Sequence, residues 1–157
     1  MTPEIRDMVD IVSRHPMFGD FDEEHRDLIA GCASNARFNI GELMLREGEP
    51  AEKFYLIRYG KVSVEVFAPP KGRIAIHTYG EGDIVGWSWI VKPYRCYHDA
   101  RAVDLTRALA FDGACLRAKA SSDPAFGYAL LRTFAPLIAQ SLERVELQLL
   151  DVYGHTT

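Results

Sequence analysis

Apolar residues recur along this chain with a period that changes along its length, and each period predicts a different kind of element. Ile5, Met8, Val9 and Val12 stand three or four apart, the spacing of one face of an amphipathic helix. Thr2 is placed to cap that helix, Pro3 suits its first turn, Glu4 complements the positive end of its dipole and Pro16 closes it. A second short helix is predicted from about Asp22 to Ala33, with Leu28, Ile29 and Cys32 on its buried side.

From Ala36 the period falls to two. Val62, Val64 and Val66 alternate with Ser63 and Glu65, and Ile74, Ile76 and Thr78 repeat the pattern, as half-buried strands do. Phe54-Tyr55-Leu56-Ile57 is apolar throughout and predicts a strand buried on both faces. Glycine-bearing turns separate these runs, at Gly41-Glu42, Glu47-Gly48-Glu49-Pro50, Tyr59-Gly60-Lys61, Pro69-Pro70-Lys71-Gly72 and Gly80-Glu81-Gly82-Asp83. Many short strands with regular turns predict a β-sandwich, jelly roll or barrel.

After Leu109-Ala110-Phe111 the helical period returns. Ser122 or Asp123 is placed to cap a helix with Pro124 in its first turn. Leu130, Phe134, Leu137, Ile138, Ser141, Leu142, Val145, Leu149 and Val152 then form a stripe, and Pro136 is expected to kink or divide it. Gln140, Glu143, Arg144, Gln148 and Asp151 make the other side polar. Two uses of the stripe remain open: packing on the chain's own sheet, or the seam of a two-helix dimer. Gly154 and the residues after it are expected to fray.

Composition narrows the class. With 48% apolar and 25% charged residues, the chain has what a globular domain needs. A net charge of −4 argues against a nucleic-acid-binding surface. Cys32, Cys96 and Cys115 are odd in number and without C-x-x-C spacing, which favours free thiols in a reducing compartment. No apolar run is long enough to span a bilayer and the N-terminus lacks a signal-peptide pattern, so the expected location is cytoplasmic.

An ordered set of motifs runs from His15 to Ala102: Pro16-Met17-Phe18, Phe38-x-x-Gly41-Glu42, Arg46-Glu47-Gly48-Glu49, Phe54-Tyr55-Leu56-Ile57-x-x-Gly60-Lys61-Val62-Ser63-Val64 and Gly80-Glu81-Gly82-Asp83-Ile84-Val85-Gly86. This set resembles the cyclic-nucleotide-binding domain of the catabolite-activator (Crp/Fnr-like) family and of protein-kinase regulatory subunits. The resemblance implies an α+β fold: an N-terminal helical segment over 1–35, a β-roll of the double-stranded jelly-roll type over 36–111, and a hinge with a long C-terminal helix over 112–157. It also implies a homodimer, with Leu137, Ser141, Leu142, Val145, Leu149 and Val152 as the dimer seam.

In the family, the segment after the glycine matching Gly86 is the phosphate-binding cassette. There a short helix start offers backbone N–H groups to the cyclic phosphate, a glutamate takes the ribose hydroxyl and an arginine neutralises the charge. In this chain the glutamate position holds Trp87, the small-residue position holds Trp89, and the arginine position falls on Cys96. Arg95 is adjacent, but one residue along a strand turns a side chain to the other face. Gly82, Ile84, Gly86, Trp87, Ser88, Trp89, Arg95, Cys96 and His98 are therefore the candidate pocket residues, with Tyr94 as a further polar contact, and cyclic AMP or GMP is not the favoured ligand. Three readings stand: the tryptophans plug the pocket and leave a ligand-free interaction scaffold, they line a pocket for another ligand (aromatic or apolar), or a cyclic nucleotide binds in an altered pose.

Other chemistry finds little support. Cys96 and His98 would share one face of a strand and could ligate haem or a metal, but two ligands do not define a site. No Gly-x-Ser-x-Gly elbow, Walker loop or paired carboxylates occur, so no enzyme is expected. The family's transcription factors carry a helix-turn-helix after the long helix, and Thr157 leaves no room for one, so this chain alone is not expected to bind nucleic acid. The reading is a regulatory sensor module without catalytic residue, resident cofactor or membrane contact.

Overall fold

A computed structural model describes residues 3–154. Helix α1 (Pro3–Arg14) begins at the predicted proline and buries Met8 and Val12; the expected cap, Thr2, lies outside the described residues, as do residues 155–157 of the tail. A 3-10 turn over Pro16–Phe18 follows, its first N–H group held by the His15 ring. Helix α2 (Glu23–Gly31) starts where the Asp22 carboxylate accepts the His25 N–H at 2.8 Å.

The middle of the chain folds into eight strands: β1 (Ala33–Phe38), β2 (Leu43–Leu45), β3 (Lys53–Tyr59), β4 (Val62–Ala68), β5 (Gly72–Tyr79), β6 (Ile84–Val85), β7 (Asp99–Ala102) and β8 (Thr106–Asp112). They pair antiparallel in two sheets, ordered β1-β8-β3-β6 and β2-β7-β4-β5, which is the jelly-roll arrangement. The texture change thus falls at Ala33, slightly ahead of Ala36. Strand β3 is central and buried on both faces, as its unbroken apolar run requires. Tyr55 and Ile57 face the second sheet with Val62, Val85 and Ala108. Phe54 and Leu56 face the helices with Leu109 and Phe111.

Helix α3 (Gly113–Ser122) and helix α4 (Pro124–Gly154) complete the chain. Asp123 provides the cap of α4, accepting the Phe126 N–H at 3.2 Å and pairing with His25 of α2 at 2.9 Å. That histidine and the N–H bonds hold the Asp123 carboxyl below its usual range. Pro136 does not divide α4, which runs unbroken through it. Pro136 lies on the exposed side, where the carbonyl it leaves without an N–H partner can bond water, while Phe134 beside it anchors the helix in the core.

One expectation from the cysteines is overturned. Cys32 and Cys115 form a disulfide, and only Cys96 is a free thiol among the described residues. The pairing β1 to β8 explains it: Ala33 stands opposite Phe111, so the end of α2 meets the start of α3, and the Asp112 N–H donates to the Cys32 carbonyl at 2.9 Å. The argument from free thiols to a reducing compartment therefore fails. No helix among the described residues is long and apolar enough to cross a membrane.

Candidate functional site

Strand β6 is short because its pairing with β3 ends at Val85 opposite Tyr55. Gly86 then adopts φ +99°, a conformation that suits glycine, and a Cβ there would come within 3.2 Å of the Leu45 side chain. The chain turns away into a 3-10 turn over Ser88–Ile90. This turn sends the two tryptophans to different places.

Trp89 enters the core. It is 1% exposed, stacks on Phe54 at 5.2 Å and meets the edge of Phe134 of α4 at 5.0 Å. Gly113 allows α3 to start against it, since a Cβ at that position would lie 2.9 Å from the Trp89 Cβ. From α3, Arg117 donates to the Trp89 carbonyl at 2.6 Å while its guanidinium lies over the Tyr94 ring. The indole Nε1–H of Trp89 is buried without an acceptor.

Trp87 takes the other side. Its ring stacks on Tyr97 at 5.0 Å and meets His98 edge-on. Together with Gly86, Ser88, Cys96, His98, Tyr79 and Ser141 it borders a cavity of about 40 Å³. Gly86, Ser88, Cys96 and His98 are among the residues anticipated from sequence, together with Trp87; the remaining candidates fall elsewhere. Ile84 packs in the helix-side core. Gly82 lies on another part of the surface, its carbonyl accepting from His15 Nε2 at 2.7 Å. Arg95 points outward and donates to the Gly48 carbonyl at 3.1 Å, and Tyr94 sits beneath Arg117.

The segment 95–98 is not a strand, contrary to expectation. Arg95 makes only an isolated bridge to Pro50, and regular pairing starts at Asp99. Tyr94, with φ +59°, breaks the extended path just before it. Cys96 and His98 nevertheless both reach the cavity, while Arg95 does not. Among the described residues, no group of three His, Cys, Asp or Glu side chains could hold a metal ion.

The cavity lining is mostly neutral, with Lys53 the one cationic side chain on its border. Burial pushes the Cys96 thiol up from its ordinary value and the His98 imidazole down, so both are uncharged at neutral pH. Burial likewise raises the Tyr79 phenol. Asp99 reaches the lining, but its carboxylate accepts the Glu47 N–H at 2.8 Å and Arg73 Nη1 at 2.6 Å. Arg101 is held by Glu65 and by the Gly41 carbonyl.

Helix α4 forms one wall. Ser141, 9% exposed, faces the cavity, and Arg144 Nη1 donates to the Tyr79 hydroxyl at 2.7 Å. Leu137 also packs toward the body of the domain. Ser141 and Leu137 are thus turned inward, away from any dimer seam, whereas Leu142 and Leu149 are exposed and Val145 and Val152 half-buried. Tyr79 and Tyr97 were missed as pocket residues, and Arg144 as the partner of Tyr79, because strand alternation and helix amphipathicity say which side a residue takes and not which loop meets it.

The residues do not fit a cyclic nucleotide in the usual pose. Trp87 offers no carboxylate, Cys96 no cation, and about 40 Å³ compares with roughly 300–1,000 Å³ for a pocket that buries a small molecule. Such a volume holds on the order of three waters.

The sequence profile described as the cyclic nucleotide-binding domain matches residues 36–123, more than half of the chain. A potassium channel protein of Rhodopseudomonas palustris is 32% identical over 114 residues, covering 73% of this chain and 27% of that protein. A CRP-like cAMP-activated global transcriptional regulator of Mycobacterium tuberculosis is 29% identical over 115 residues, covering 73% of this chain and 50% of the regulator. The chain therefore spans half or less of the curated relatives it matches. Among solved structures, a cyclic nucleotide-binding protein of Geobacter metallireducens superposes with a TM-score of 0.73 at 24% identity, over 90% of this chain and 99% of that one. These matches are to regulatory and channel proteins.

Proposed function

The chain belongs to the cyclic nucleotide-binding domain family, and from that premise we propose that it is a regulatory sensor whose β-roll pocket takes a compact ligand, aromatic or apolar, and not a cyclic nucleotide held by the usual cassette. The observation that carries the reading is that one cavity is bordered at once by Trp87, by the β-roll and by Ser141 of α4. Anything seated there touches the helix that leaves the domain. Cys96 and His98, both uncharged beside Trp87, support an uncharged ligand, and Lys53 at the border is the one cationic side chain that could meet a polar group on it.

The Trp87–Tyr97 pair is the movable wall. Tyr97 is about half exposed, so swinging the stacked rings outward enlarges the cavity without opening the core around Trp89. Ligand entry then strains the contact of Arg144 with Tyr79 and shifts α4. This transmission requires a ligand that binds the two positions of α4 with different affinity, because equal binding shifts nothing. The chain carries no catalytic role in this account.

Helix α4 is also the proposed dimer contact. Leu142, Leu149 and Leu131 expose large apolar surface on it, with Leu142 59% exposed. Burying these against a second copy of the chain satisfies them as a two-helix seam does. Size-exclusion chromatography with light scattering checks it: the wild type is expected at twice the chain mass and Leu142→Asp at the monomer mass. An unchanged dimer in the variant sinks the assignment.

The small cavity also supports a second reading, a permanently filled scaffold that binds only proteins. A thermal-melt screen with small planar aromatic compounds separates the two. A sensor ligand at 100 times its dissociation constant stabilises by about 2.7 kcal/mol, several degrees in melting temperature. That gain is expected to disappear in Trp87→Ala. A blank panel favours the scaffold.

A further inference from the structure

The sheet β1-β8-β3-β6 turns one face to the helices, and part of that face is left uncovered. There Arg37 of β1 stands directly opposite Arg107 of β8. Arg58 projects beside them at the irregularity where β3 passes β8, with Ile57 opposite Ala108 and Tyr59 opposite Arg107. All three arginines are exposed and border one groove of about 530 Å³. Among the described residues none of the three side chains has a hydrogen bond or an ion pair.

Like charges directly opposite across a strand pair destabilise it. The chain is acidic overall, and its other sheet arginines, Arg73 and Arg101, are neutralised by Glu65 and Asp99. The trio is therefore uncompensated where the other sheet arginines are ion-paired. The groove is also partly apolar: Met8 and Ile11 of α1 and Leu109 of β8 border it. Glu4 and Asp7 stand on the α1 side without pairing to the arginines.

We propose that this groove docks a short acidic segment of a protein partner. Its carboxylates sit on Arg37, Arg58 and Arg107, and an apolar side chain rests against Met8, Ile11 and Leu109. Guanidinium groups take carboxylates through paired hydrogen bonds, which gives the contact direction as well as attraction. A nucleic acid strand fits less well, since a continuous polyanion would run against Glu4 and Asp7. The groove shares no lining residue with the cavity at Trp87, so the inference stands apart from the identity of any ligand there.

Fluorescence anisotropy of a short labelled peptide alternating glutamate and leucine, titrated with the whole protein at fixed low salt, tests this. Saturable binding is expected, weakened by about tenfold or more in Arg37→Glu and in Arg107→Glu, a change of one charge-assisted contact. Either substitution places a glutamate opposite an arginine, so melting temperatures are expected to stay level or rise. Arg58→Gln, which leaves the strand pair untouched, is the second check on affinity. The proposal is overturned by absence of saturable binding to the wild type or by equal affinity in the variants. Tighter binding of oligothymidylate or of phosphatidylserine vesicles than of the peptide overturns it as well.

Discussion

Trp89→Ala is expected to lower the melting temperature by roughly 10–15 °C, whereas Trp87→Ala, two residues away, lowers it by only a few degrees. Trp89 is sealed between Phe54, Phe134 and the start of α3, so its removal leaves a cavity that the rigid sheet cannot close. Tryptophan truncations of this kind cost about 3–5 kcal/mol. Trp87 is partly exposed, and its main loss is the Tyr97 stack, about 0.5–1.5 kcal/mol. Trp89→Phe is the informative control. It keeps an aromatic ring against Phe54 and removes the unpaired Nε1–H, so it is expected to cost clearly less than alanine. Equal losses for Trp87→Ala and Trp89→Ala in differential scanning calorimetry would contradict the division of roles between the two rings.

Reduction of the Cys32–Cys115 bond is expected to destabilise the fold by about 2–4 kcal/mol, a fall of roughly 5–15 °C. The bond joins residues 83 apart in sequence, so it restricts a large loop of the unfolded chain. It also ties the end of α2 to the first turn of α3, the segment that leads into α4. Melting curves with and without dithiothreitol, and of Cys32→Ser/Cys115→Ser, measure the effect. The reduced wild type and the double variant are expected to melt together. Coincident curves for oxidised and reduced protein, with free thiols titrating in both, would remove the bond from the account.

Much of the fold was legible because it rests on local rules. The proline and acidic start of α1, the start of α2 near Asp22, a cap of α4 at Ser122 or Asp123, and the alternation of β4 and β5 each follow from a few neighbouring residues. The disulfide was not legible: no spacing marks it, and only the pairing of Ala33 with Phe111 brings Cys32 and Cys115 together. Residues 95–98 misled for a related reason. Their alternation suits a strand, yet Tyr94 leaves the extended region and no neighbouring strand is available until Asp99. The candidate site was half legible. Trp87, Cys96 and His98 line the cavity, while the opposite wall of Tyr79 and Ser141, and the bond of Arg144 to Tyr79, depend on where a long helix comes to rest on β5.

The central claim is that the substitutions at Trp87 and Cys96 remove cyclic-nucleotide recognition while the fold is kept. Two charge-assisted contacts are missing, each about 1.5–3 kcal/mol, which together weaken binding by roughly 10²- to 10⁴-fold relative to a complete cassette. Calorimetric titration of the oxidised protein with cyclic AMP and cyclic GMP tests this directly. The account predicts no saturable heat for either nucleotide up to millimolar concentration. A stoichiometric isotherm with a micromolar dissociation constant would contradict it and return the pocket to second-messenger binding.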